Sequence, residues 1–154
     1  MCIRDRYKEA VKTQIQNFKY YEKPELVQNL SQLFCYELDA NNIELPELII
    51  PVPLHAKRLR ERGFNQSLLL AKALSKSLDI PTLNCLIKHK TTQPQASLTL
   101  KKRAKNLKKS FKLETQITAK SVAIIDDVIT TGATINEMCN ILKKNGVNLS
   151  LIHI

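Results

Sequence analysis

The chain has 154 residues and a formal net charge of +10, with 44% of residues hydrophobic, 5% aromatic and no tryptophan. That length supports one domain with a sizeable core, and the apolar share excludes a disordered or fibrous chain. No apolar run reaches the length of a membrane span and no signal peptide precedes the first predicted helix, so the expected compartment is the cytoplasm.

The opening MCIRDR has no periodicity and reads as a non-native leader, leaving a single domain over residues 7–154. Residues 8–20 predict a first helix. Pro24 and Glu25 open a second, with Leu26, Leu30, Leu33, Phe34 and Leu38 on one face at helical spacing. After a polar turn, ELIIPVP over residues 47–53 reads as a strand buried on both faces and ended by Pro51 and Pro53. A basic loop leads to a helix from Asn65 to Leu78, with Asn65 as its N-cap and Ala71, Leu74 and Leu78 on one stripe. TLNCLIK, ending at Lys88, is a further short strand.

From His89 to about Lys109 the chain is polar and basic with weak periodicity, and a stretch of that kind is more often a lid than filler. SVAIID is a strand, Ile135 to Asn145 a helix with Gly146 at its C-terminal cap, and VNLSLIHI a final strand. The chain stops inside that strand, so a native continuation is expected. Strand and helix alternating in this order predict an α/β fold, a parallel sheet flanked by helices.

Cys2, Cys35, Cys85 and Cys139 form no C-x-x-C pair, so a zinc site is not expected of them. Cys35, Cys85 and Cys139 lie in apolar surroundings and read as reduced core residues. The positive charge is concentrated: KKRAKNLKKSFK has seven basic residues in twelve, and HAKRLRERG has four with one acid. Such fields attract nucleic acid, phosphorylated small molecules or anionic membrane, although for any single lysine a solvated face is the plainer reading.

The most informative stretch is VAIIDDVITTGAT, residues 122–134. Asp126 and Asp127 stand at the carboxyl end of a strand, where open α/β sheets bind ligands. Adjacent residues point opposite ways, so both acids cannot face a core, and a buried unpaired one would cost several kcal/mol. They fit ligand hydroxyls, a cation-bearing ligand or basic side chains. Thr130, Thr131, Gly132, Ala133 and Thr134 follow, small and hydroxyl-rich, at the start of a helix whose N–H groups favour an anion. Thr134 and Glu137 also fit a capping box. Acids followed by an anion cradle suit a sugar phosphate. Neither G-x-x-x-x-G-K-[ST] nor G-x-G-x-x-G is present, and the chain has only three glycines.

These thirteen residues resemble the phosphoribosyl-pyrophosphate (PRPP) motif of type I phosphoribosyltransferases. Together with IPVPLHAKRLRERGFNQSLLLAKAL and TTQPQASLTLKKRAKNLKKSF, they are similar to the ComF family, which is associated with natural transformation in bacteria. The similarity runs from about Tyr20 to Val147. The family's N-terminal cysteine-rich zinc module is absent, as in a truncated chain or a branch without it.

The resemblance implies a type I phosphoribosyltransferase-like sheet with a flexible loop over the site. It implies Mg2+-dependent transfer of 5-phosphoribosyl with release of pyrophosphate. Asp126 and Asp127 would steady the ribosyl cation, with Arg103 as a third catalytic residue. Thr130 to Thr134 would hold the 5′-phosphate. His55, Ala56, Lys57, Arg58, Arg62 and Lys102 would meet the pyrophosphate, where the planar fork of arginine suits phosphate. For His55 a structural hydrogen bond and a ligand contact are both open. Gln95 and Asn106 are further candidates in the closed loop, which would exclude water. Mg2+ is expected to arrive on PRPP, with no metal site of the protein's own. Expected partners are PRPP, single-stranded DNA and competence proteins such as a DNA-uptake helicase. The alternative is a non-catalytic PRPP- or nucleotide-binding module, or a single-stranded-DNA-binding accessory protein. With few aromatics for base stacking, DNA binding would be mainly electrostatic.

Overall fold

A computed structural model describes residues 24–89, 110–127 and 132–149. The leader, the predicted helix over 8–20 and the lid stretch beyond His89 as far as Lys109 lie outside the described residues. The elements are α1 (Pro24–Ala40), β1 (Leu48–Pro51), α2 (Ala56–Arg62), α3 (Gln66–Leu78), β2 (Leu86–Lys88), β3 (Phe111–Leu113), β4 (Ser121–Ile125), α4 (Ala133–Lys144) and β5 (Asn148–Leu149).

The apolar runs form the parallel sheet predicted for them. β1 pairs with β4 in register Leu48↔Val122 through Pro51↔Ile125, and β4 pairs with β5 from Ser121↔Asn148. Thr82 bridges Ile49 in parallel on the other edge of β1. Pro51 has no N–H to give, but it is the last residue of its strand, and the Val52 N–H resumes the ladder to Ile125 O at 2.9 Å.

Alternation along the strands divides the core into two layers. Leu48, Ile50, Val52, Val122 and Ile124 face one side, packed by Ile135, Met138, Cys139 and Leu142 of α4 and by Leu86 and Phe111 of the small strands. Ile49, Ala123 and Ile125 face the other, packed by Leu30, Phe34 and Leu38 of α1 and Leu70, Ala71 and Leu74 of α3. With both faces covered, β1 is buried at all four positions, as its unbroken apolar run predicts.

Several expectations change. Leu33 is 43% exposed, because the buried stripe of α1 runs through Leu30, Phe34 and Leu38 and leaves it on the flank. The basic loop is partly the seven-residue helix α2, with no buried residue of its own and held by its ends: His55 caps it and Gly63 closes it at φ 81°. The strand expected at TLNCLIK divides. Thr82 joins the parallel sheet, whereas Leu86–Lys88 pairs antiparallel with β3, a strand not anticipated. Thr134 and Glu137 form no capping box: the N-cap of α4 is Gly132 at φ 69°, and Thr134 lies inside the first turn. Cys85 and Cys139 are buried as expected, but Cys35 is only half-buried. Asn145 is the C-cap of α4, and Gly146 follows at φ 81° with its N–H on Lys143 O.

Candidate functional site

The two central strands send their following helices to opposite faces of the sheet. After β1 the chain reaches α3, which packs on the layer of Ile49 and Ile125, and after β4 it reaches α4, which packs on the layer of Ile50 and Ile124. The carboxyl ends of β1 and β4 therefore mark a topological switch point, where open α/β sheets bind ligands in a crevice. Residues 52–58 follow β1 on one lip of it. Asp126 and Asp127 follow β4 on the other.

Asp126 and Asp127 follow the last residue of β4, and both are half-buried. Oδ1 of Asp126 accepts the Asp127 backbone N–H at 2.9 Å and the Ser67 hydroxyl at 3.3 Å. Burial of its carboxyl, then the charge of Asp127 and a side-chain hydrogen bond to it, push the pKa of Asp126 well above the ordinary carboxylate range. The Asp127 N–H and the Ser67 hydroxyl act in the opposite direction. The two acids thus crowd each other.

Beyond Asp127 the described chain resumes at Gly132, the N-cap of α4. Gly132 takes the left-handed conformation that turns the chain into the helix, and its carbonyl accepts the Asn136 N–H at 2.8 Å. Ala133 and Thr134 are the first two helical residues, so they stand at the positive end of the helix dipole. Thr130 and Thr131 lie outside the described residues, as do Lys102 and Arg103 of the stretch expected to act as a lid.

On the other lip, His55 Nδ1 accepts the Lys57 N–H at 3.1 Å, so this face of the ring serves the structure as the cap of α2. Ala56, Lys57 and Arg58 form the exposed first turn of α2. Arg62 lies one turn further on, about 6 Å along the helix, and among the described contacts nothing joins it to the acids.

Sequence reasoning missed Lys88. It ends β2, half-buried, with Nζ 5.6 Å from the Phe111 ring centroid across the β2–β3 pair. Burial, and then the Arg58 charge, lower its pKa, while Asp126 acts to raise it. Arg58 and Asp126 therefore each sit within electrostatic reach of Lys88, which draws on three segments far apart in sequence. Its position at a strand's carboxyl end was the available signal.

Comparison with known proteins fits this geometry. Residues 65–154 match the phosphoribosyl transferase domain family. The chain is 41% identical to competence protein F of Haemophilus influenzae, a match covering 96% of this chain and 68% of that protein. It is 34% identical to the DNA utilization protein YhgH of Escherichia coli K12, covering 86% and 60%. It is 27% identical to competence protein ComFC of Bacillus subtilis, covering 91% and 56%, so sizeable parts of these relatives lie outside the match. Among solved structures, glutamine PRPP amidotransferase from B. subtilis aligns with a TM-score of 0.56 at 16% identity, over 90% of this chain and 30% of that one. Adenine phosphoribosyltransferase from Saccharomyces cerevisiae aligns with a TM-score of 0.54 at 15% identity, over 88% and 72%. At such identities the structural likeness bears on the fold alone. The phosphoribosyltransferase fold and the sequence relationships agree: the chain is a phosphoribosyltransferase-like protein and belongs to the ComF family of the type I phosphoribosyltransferase superfamily.

Proposed function

We propose that the chain binds PRPP in the crevice between β1 and β4 and transfers its 5-phosphoribosyl group, expelling pyrophosphate. The observation that supports this reading is the position of Asp126 and Asp127 at the carboxyl end of β4, beside β1, where α3 and α4 cover opposite faces of the sheet. The helix start and the Thr130–Thr134 loop would hold the 5′-phosphate, and the acids would hold the ribose hydroxyls and steady the ribosyl cation. In the transfer, the bond from ribose C1 to the pyrophosphate oxygen breaks, pyrophosphate leaves with the electron pair, and an acceptor's nucleophilic atom supplies the pair for the new bond to C1 and gives up its proton. Arg58 and Lys88, with Lys57 and the His55 loop, would receive that growing negative charge, and Lys102 and Arg103 would join them.

The donor set fits a Mg2+ carried by the ligand. Two adjacent carboxylates, one with Oδ1 already taken by two donors, fall short of the octahedral oxygen shell that Mg2+ prefers. When bound, the ion offsets the charge of the phosphates. Release of pyrophosphate from Mg2+-PRPP, assayed with a pool of bases and other nucleophiles, tests transfer. Tight binding without any release would reduce the protein to a binding module.

The setting proposed for this chemistry is DNA uptake in the cytoplasm. It is supported by the names of the relatives and by a net charge of +10, more than one pyrophosphate requires. No described helix is long and apolar enough to cross a membrane. Single-stranded DNA and a competence protein such as a DNA-uptake helicase are the partners this charge suits. DNA affinity should fall linearly with the logarithm of salt concentration, and a salt-independent affinity would rule out the electrostatic mode.

A further inference from the structure

Asn65 does more than a helix cap requires. Its Oδ1 accepts the Ser67 N–H at 3.1 Å, which is the capping bond of α3. Its Nδ2 also donates to Val52 O at 3.0 Å, across to the end of β1. Only one amide orientation satisfies both partners, so the side chain is fixed at each end. Ser67 then uses its hydroxyl on Asp126 Oδ1 at 3.3 Å, from a site only 4% exposed.

Val52 closes the circuit, because its N–H donates to Ile125 O at 2.9 Å, and Ile125 is covalently joined to Asp126. The result is a ring of four hydrogen bonds through Val52, Asn65, Ser67, Asp126 and Ile125. It ties together the end of β1, the start of α3 and the end of β4. Capping alone explains one bond of the four.

We propose that Asn65 and Ser67 are positioning residues for Asp126, fixing the direction of its carboxyl group at the mouth of the crevice through this closed ring. Asp127 also acts on that carboxyl, by its charge and by its N–H on the same Oδ1 at 2.9 Å, and Lys88 lies within electrostatic reach of it. Lys88 acts through charge, which sets protonation but not direction, and the Asp127 N–H fixes Oδ1 only relative to the end of its own strand, whereas the ring ties it to β1 and α3. The proposal rests on the reading of the crevice as a PRPP site for its consequence in binding, but not for its effect on the free protein.

Two measurements on the full chain separate these levels. Carbon-13 titration of the Asp126 carboxyl is carried out on ligand-free protein, and calorimetric titration of Mg2+-PRPP is carried out between about pH 6 and about pH 9, where the carboxyl passes into its ionised form. The variants are Ser67→Ala, Ser67→Thr, which keeps the hydroxyl, and Asn65→Ser, which keeps a capping oxygen but loses the amide donor. Ser67→Ala should raise the Asp126 titration midpoint and weaken PRPP binding by about tenfold at the acidic end, as loss of a hydrogen bond to a charged group does. The loss should shrink at the alkaline end, and Ser67→Thr should restore both. Asn65→Ser should move both readings in the same direction by less. Folded Ser67→Ala and Asn65→Ser proteins with unchanged midpoints and pH profiles would overturn the proposal. A raised midpoint in a protein that binds no PRPP would uphold the ring and reject the proposed ligand instead.

Discussion

Asp126 concentrates the conflict between stability and function in a single side chain. Its carboxyl is desolvated and stands against Asp127, so the folded protein holds the proton more tightly than the unfolded chain does. For an acid whose folded value is raised, the native protein is most stable below the unfolded pKa and loses stability as pH rises through the folded one. Asp126→Asn removes this dependence. Urea unfolding midpoints of the two proteins should coincide near about pH 4 and diverge at higher pH, with the variant ahead by on the order of 2 kcal/mol. Parallel pH profiles would show that the acid is not strained in the free protein. The acidic pair was visible in sequence because like charges ending an apolar run have no place in a core. Ser67 and Lys88 were not visible, because each gains its meaning only when distant segments meet: Ser67 lies 59 positions from its partner Asp126.

Elements were legible in proportion to the length of their apolar pattern. β1 and β4 show continuous buried runs, and α3 and α4 carry clear stripes, so their sequences announce them. Helix α2 buries nothing and depends on His55 and Gly63 at its ends, so no periodicity could reveal it. β2 and β3 have three residues each, too few to display a period, and only their mutual pairing defines them. That pairing matters for the site, because it stacks Phe111 beside Lys88 and holds the ammonium toward Arg58 and Asp126. Lys88→Met should weaken Mg2+-PRPP binding about tenfold, the scale of one charge-assisted hydrogen bond. The same change should leave the thermal midpoint unchanged or raised, since burial and Arg58 both disfavour the native ammonium. A lower midpoint with intact affinity would make Lys88 a packing residue.

At the scale of the whole molecule, the sheet sends its helices to opposite faces, and segments of opposite charge follow two neighbouring strands. His55 to Arg58 after β1 is basic, and Asp126 and Asp127 after β4 are acidic. An activated sugar phosphate has the matching pattern, with hydroxyls at its centre and anions at both ends. The parallel sheet with its helices was predictable from alternating patterns. Its division into two layers at the crevice was not, because the face that a helix covers depends on the handedness and path of its connection. The central claim is that Asp126 and Asp127 bind the ribose of PRPP. Calorimetric titration of Mg2+-PRPP into the wild-type protein and into the Asp126→Asn, Asp127→Asn double variant tests it most directly. The account predicts saturable binding by the wild type and a loss of at least about tenfold in the folded variant, the scale of a lost charged contact. Equal binding by both proteins, or binding by neither, would contradict it.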